Sequence, residues 1–118
     1  MGPRFIGLTM LALTATAAHP AEQDVSANAI LPGCKAMLRE KNISDPDHHF
    51  RMGHCAGILT ALTHFTRLFG ACRPDNVTAG QVIRVVVTYI ERQPERWHED
   101  FRDLALAAMR SAWPCKQQ

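Results

Sequence analysis

The stretch from Cys72 to Cys115 constrains this chain more than any other. Between these cysteines lie two segments with helical signatures. Thr78-Ala79-Gly80-Gln81 is a capping box, in which the threonine hydroxyl and the glutamine amide each satisfy a free backbone N–H at a helix start. The run Val82 to Ile90 that follows is rich in β-branched residues, so a buried strand is the rival reading. The cap, a length of ~15 residues before Pro94 and the helical neighbours favour a helix. Gln93-Pro94 opens the next segment, with proline in the first helical position, where its missing N–H is no loss. Trp97, Phe101, Leu104, Ala105, Ala108, Met109 and Ala112 recur there at helical spacing and mark an expected buried face, and Pro114 ends the run. Two helices folded as a hairpin leave a cysteine just outside each far end, where closure brings the pair together.

The first half of the chain repeats the pattern. A helix is expected over about Val25 to Lys41, with Ile30, Leu31, Cys34, Met37 and Leu38 at helical spacing. Pro32 and Gly33 interrupt its first half, which places the regular part from near Pro32 onward. Asn42 to Ser44 is the connection. Asp45-Pro46 supplies an N-cap and a proline at the next helix start. Phe50, His54, Gly57, Ile58, Ala61, Leu62, Phe65, Leu68 and Phe69 form its expected apolar face, and Gly70 is a natural stop. Gly57 on that face reads as a site of close approach by another helix. The fold class is therefore all-α, a small antiparallel four-helix bundle. Four cysteines allow three connectivities. In helical hairpins, residues equidistant from the turn lie side by side, and Cys34 and Cys55 sit almost symmetrically about Ser44. The expected staples are Cys34–Cys55 and Cys72–Cys115, each worth roughly 3–4 kcal/mol on the loop-entropy model.

Residues 1–18 read as a signal peptide. Arg4 is the only charged side chain before Glu22, Phe5 to Ala18 is apolar, and Ala15, Ala17 and Ala18 suit cleavage after Ala17 or Ala18. An apolar run of about 14 residues is too short to span a bilayer, so no stable membrane insertion is expected. Residues 19–118 then form a single helical domain in which all four cysteines lie. Export to an oxidising compartment makes paired disulfides the default. Without Arg4 the charged residues are 12 basic against 11 acidic, interspersed and without a basic block, which argues against nucleic acid as a partner.

The constellations that could carry chemistry have simpler readings. His48, His49 and His54 lie near Cys55 and His64 further along the same helix, but their spacing matches no zinc pattern and the cysteines have disulfide roles, so no metal is expected. No Gly-x-Ser-x-Gly is present, and a Cys/His nucleophile would need a free thiol. Glu91, Glu95, Glu99, Asp100 and Asp103 alternate at helical spacing with Arg92, Arg96 and Arg102, which reads as a solvated ion-pair face. No catalytic residue, no cofactor and no enzymatic activity are expected. Asn42-Ile43-Ser44 and Asn76-Val77-Thr78 match the glycosylation sequon, but each lies in a segment leading into a helix.

An ordered set of residues carries a family resemblance: Cys55 and Gly57; Cys72 and Pro74; Val77, Thr78 and Gln81; Val85, Val86 and Tyr89; Pro94, Glu95 and His98; and finally Ala105, Leu106, Pro114 and Cys115. Over residues 50–115 the chain resembles the Rap/Tai family of type VI secretion immunity proteins. It departs from the family pattern at Ile58, Ala61, Gln93 and Trp113. The resemblance implies a helical, disulfide-bonded periplasmic protein, often dimeric, that binds a peptidoglycan-cleaving amidase effector and occludes its active-site cleft. The implied partners are a cell-wall amidase effector and a second copy in a homodimer. Exposed character nominates a partner surface made of the loop residues Arg73, Asp75 and Asn76 and the polar positions Arg92, Arg96, Glu99 and Arg102. A loop held by Cys72 and capped at Thr78 is pre-organised, which lowers the cost of binding. The alternative reading is a periplasmic stress or chaperone-like helical protein with no dedicated toxin partner.

Overall fold

A computed structural model of the chain describes residues 2, 23–39 and 45–116. The expected signal peptide, its cleavage site and the connection Asn42 to Ser44 lie outside the described residues. The described residues form four helices: α1 Ala27–Met37, α2 Pro46–Phe65, α3 Ala79–Glu91 and α4 Phe101–Ala112. Short 3-10 turns follow α2 at Thr66–Phe69 and precede α4 at Pro94–Arg96. Among the described residues there is no strand, and both expected disulfides, Cys34–Cys55 and Cys72–Cys115, are formed.

Helix α1 begins five residues before Pro32, earlier than its proline suggested. Free N–H groups at a helix start need acceptors, and here they come from far along the chain. Ala27 N donates to Glu99 O at 2.9 Å and Asn28 N to Trp97 O at 2.8 Å, while the Ser26 hydroxyl accepts from Ala29 N. Pro32 sits inside the helix with its ring exposed. Gly33 is where α1 and α2 come closest. A Cβ built there would lie 2.2 Å from the Arg51 carbonyl oxygen. The buried Cys34–Cys55 disulfide fastens the same contact one residue further on.

Helix α2 turns most of its expected face outward, Ile58 and Leu62 excepted. It buries Cys55 and Leu59, with Thr66 just beyond its end, and half-buries Ile58 and Leu62 against the core. Phe50, Phe65, Leu68 and Phe69 are exposed by 63%, 55%, 81% and 48%, and Gly57 and Ala61 are exposed beside them. A helix that is apolar around most of its circumference gives periodicity nothing to choose between. The disulfide decides: Cys55 must face α1, so the opposite side faces solvent. The close approach expected at Gly57 is absent, since nothing lies within 4 Å of a Cβ built there.

Helix α3 resolves the strand-or-helix ambiguity in favour of helix. Both arms of its capping box form, Gln81 N to Thr78 Oγ1 at 3.2 Å and Thr78 N to Gln81 Oε1 at 2.8 Å. Val82, Ile83, Val86, Val87 and Ile90 then fall on one buried stripe, and that burial overrides their β propensity. Helix α4 starts later than Pro94 suggested. Asp100 is its N-cap, accepting from Arg102 N at 2.8 Å, and residues 94–99 form a connecting turn. Trp97 lies on that turn, half-buried, with Nε1 donating to Ile90 O at 2.8 Å. Phe101, Leu104, Ala105, Ala108 and Met109 are buried as expected, whereas Ala112 is exposed. Full burial of each of Phe101, Leu104, Met109 and Ile90 contributes about 1.5–3 kcal/mol.

The open end of the second hairpin is closed three ways. Gly70 takes a φ of 82°, a conformation natural to glycine, and turns the chain after the 3-10 turn. Cys72 N donates to Trp113 O at 2.7 Å and Cys115 N to Gly70 O at 3.2 Å. The Cys72–Cys115 disulfide locks this pairing.

Candidate partner-binding surface

The polar residues nominated by the sequence divide by what they already hold. Arg96 makes a two-pronged contact with Glu99, Nε to Oε1 at 2.8 Å and Nη2 to Oε2 at 2.7 Å, and its Nη1 reaches Gln93 Oε1 at 3.0 Å. Gln93 in turn donates to Tyr89 O at 3.1 Å, so the chain is braced from the end of α3 through the turn. The fork of donors holds the Glu99 carboxyl below its ordinary range, and Glu99 pushes the Arg96 guanidinium up. Arg102 grips Asp100 through Nε at 2.9 Å and through Nη2, which lowers the Asp100 carboxyl. Asp100 thereby both caps α4 and fixes an arginine. Arg96, Glu99 and Arg102 therefore shape the turn before they can serve a partner.

Arg92 is different. It is the C-cap of α3, exposed, and forms no ion pair among the described residues. It lines an open groove of about 710 Å³ between α3 and α4, together with Arg84, Val85 and Tyr89 of α3, Ala108 and Ala112 of α4, and Trp113. Of the seven nominated residues it is the one in this groove.

Arg73 and Asp75 occupy a second place. Arg73 is half-buried and its Nη1 donates to Val77 O at 2.6 Å, which ties the Cys72–Thr78 loop to itself. Arg73 and Asp75 line a polar cleft of about 220 Å³ with Thr63, His64, Thr66 and Arg67, from the end of α2. Asn76 is exposed on the turn of the loop.

A family model described as Rap1a immunity proteins matches residues 26–115. The chain belongs to the Rap1a immunity protein family. No curated protein and no solved structure matches the chain. The matched span begins at Ser26, the cap of α1, and ends at Cys115, the last half of the second disulfide. The Rap1a-family unit thus coincides with the described four-helix fold.

Sequence reasoning missed four groups that the Rap1a-family fold brings to these surfaces. Arg84, Tyr89 and Trp113 join Arg92, and Arg67 joins Arg73 and Asp75. A signal for part of the groove was present: Gln81, Arg84, Thr88 and Arg92 recur at i, i+3, i+7 and i+11 opposite the valine stripe. The third surface of the Rap1a-family fold is the outer face of α2, apolar at Phe50, Phe65 and Leu68 and flat at Gly53, Gly57 and Ala61. On it the ring of His54 packs 6.0 Å from that of Phe50. Among the described residues no group of three His, Cys, Asp or Glu side chains is placed to hold a metal. No described helix is long and apolar enough to cross a membrane. These surfaces offer charge, hydrogen bonds and aromatic area, which are the means of binding another protein.

Proposed function

We propose that this Rap1a-family protein is a periplasmic immunity protein, which binds a peptidoglycan-cleaving amidase effector of a type VI secretion system and occludes its cleft. The observation that carries the reading is the family match across the whole described fold, from Ser26 to Cys115. Residues 1–18 as a signal peptide and 19–118 as the exported domain agree with it, as do two formed disulfides, which persist in oxidising compartments. Inhibition by occlusion asks for a rigid shape and no chemistry of the inhibitor's own, so no enzymatic role is assigned. Arg73, Asp75, Asn76 and Arg92 are the contact residues of this reading; Arg96, Glu99 and Arg102 hold the turn that follows Arg92, and the Arg73–Val77 bond holds the loop that carries the other three.

The homodimer of this reading would use the outer face of α2. About Gly57 a twofold axis would pair Phe50 with His64 and Gly53 with Ala61, so apolar meets aromatic and small meets small. The same exposed face is what favours the rival chaperone-like reading, because conditional chaperones hold clients on apolar surface.

Capture with the oxidised, signal-cleaved protein separates the two. The immunity reading expects one cell-wall hydrolase from periplasmic extract or from neighbouring gene products, in fixed stoichiometry and with its amidase activity blocked. Many unrelated proteins, captured chiefly at low pH, would replace it with the chaperone reading.

A further inference from the structure

We infer that the α3–α4 groove is the docking site for an acidic, extended segment of the protein partner, one carrying two carboxylates that flank a single apolar side chain. This rests on the protein-binding reading above and gives the chemistry of the contact. At about 710 Å³ the groove is within the range of sites that hold a ligand or a peptide segment. Both of its charged lining residues, Arg84 and Arg92, are cationic, and no acid lines it. Neither arginine is in an ion pair among the described residues, whereas Arg51, Arg96 and Arg102 all are. Guanidinium groups left free in the lining of a groove ask for carboxylates, which they grip in a two-pronged geometry.

The lining beside them combines apolar and aromatic side chains with the neutral polar groups of Gln81, Thr88, Gln93 and Ser111. Val85, Tyr89 and Trp113 are each half-buried, held by the core on one side and open on the other. Tyrosine and tryptophan in such positions dominate protein-binding energy. The walls are also fixed before any partner arrives. The capping box holds the start of α3, and Trp113 is pinned through the Cys72 N to Trp113 O bond beside the second disulfide. Little ordering entropy remains to be lost on docking.

Spacing sets the pattern of the segment. Arg92, the C-cap of α3, lies eight positions beyond Arg84, about 12 Å of helical rise. In an extended chain, side chains at i and i+4 share one face about 13 Å apart, with i+2 between them. An acidic–x–apolar–x–acidic stretch therefore matches both arginines and sets its middle side chain over Val85, Tyr89 and Trp113.

The test uses the oxidised, isotope-labelled protein and the peptide acetyl-Glu-Ser-Phe-Ser-Glu-amide, with a control in which lysines replace the glutamates. Nuclear magnetic resonance titration should shift amides of α3 and α4 and the Trp113 indole. The double variant Arg84→Glu/Arg92→Glu should weaken binding about tenfold or more, because two charge-assisted contacts become repulsive. Arg84→Gln/Arg92→Gln should fall between the two. Absence of shifts at millimolar peptide, equal binding of the lysine peptide, or equal binding by the double variant would overturn the groove. So would self-association of the protein that the same substitutions abolish, since a second copy would then fill it. An amidase captured equally by the wild type and the double variant removes this groove while leaving the immunity reading in place.

Discussion

Replacing Gly33 with alanine should cost about 2 kcal/mol or more of stability, although alanine is the better helix former. The Cβ would sit 2.2 Å from the carbonyl oxygen and 2.6 Å from the carbonyl carbon of Arg51. Non-bonded heavy atoms rest at about 3.5–4.0 Å, so from 2.2 Å the contact between α1 and α2 would have to open by about 1.3 Å or more. The atoms met are backbone and cannot swing aside, and the Cys34–Cys55 disulfide one residue away resists the separation. Inserting a methyl into a packed contact costs about 1–3 kcal/mol, and the backbone clash puts this case at the upper end or beyond. The gain in helix propensity returns about 1 kcal/mol. For a domain of this size the net loss lowers the melting temperature by about 10 °C or more. Thermal unfolding of the oxidised protein, followed by far-ultraviolet circular dichroism, measures it. Gly57→Ala is the internal control: nothing lies within 4 Å of the new methyl, so this variant should gain about 0.5–1 kcal/mol. A Gly33→Ala protein as stable as the wild type, or a Gly57→Ala protein that loses as much, would refute the assignment of the close contact to Gly33.

The double variant Cys72→Ser/Cys115→Ser should lose about 4 kcal/mol, from a loop of 43 residues, as measured by urea unfolding. Cys34→Ser/Cys55→Ser opens a shorter loop of 21 residues but should cost at least as much, because both positions are fully buried and the new hydroxyls need partners there. Glu99 and Asp100 have lowered carboxyl values, so the stability they supply is present above their ordinary values of 4.5 and 3.8 and is lost as pH falls through the lowered ones. Melting temperature should decline in acid over that window, and Glu99→Gln/Asp100→Asn should flatten the decline. If α2 pairs with a second copy about Gly57, Gly57→Arg and Leu68→Glu should each convert a dimer to a monomer in sedimentation velocity while leaving helix content unchanged.

What was legible in the sequence is what local chemistry decides. Asp45, Thr78 and Gly70 act through atoms within three residues of themselves, so their caps and stops could be read directly. The disulfides were legible because helical hairpins fix which positions lie opposite each other. The buried side of α2 was not, because its apolar residues surround the helix and only the pull of Cys55 toward Cys34 selects a side. Pro94 misled for a related reason: it starts a 3-10 turn, and Asp100 offers the better cap six residues later. At the candidate site, the Arg96–Glu99 pairing was readable as an i,i+3 contact. The groove as a whole was not, because Arg84 and Trp113 line it from far apart in the chain and nothing near either residue announces the other.

The first helix rests on acceptors that arrive near the end of the chain. Glu99 and Trp97 supply the carbonyls for Ala27 and Asn28, and Phe101 N returns a bond to Val25 O. A chain made from its N-terminus therefore has Cys34, Cys55 and Cys72 before α1 has its acceptors and before Cys115 exists as a partner. Early pairings of Cys72 with either upstream cysteine are open to it and must be undone by thiol exchange. Commitment to the native topology then comes with the last third of the chain, when residues 97–101 seat α1 and Cys115 reaches Cys72. A protein truncated before Phe101 should accumulate mixed disulfides in place of half a fold.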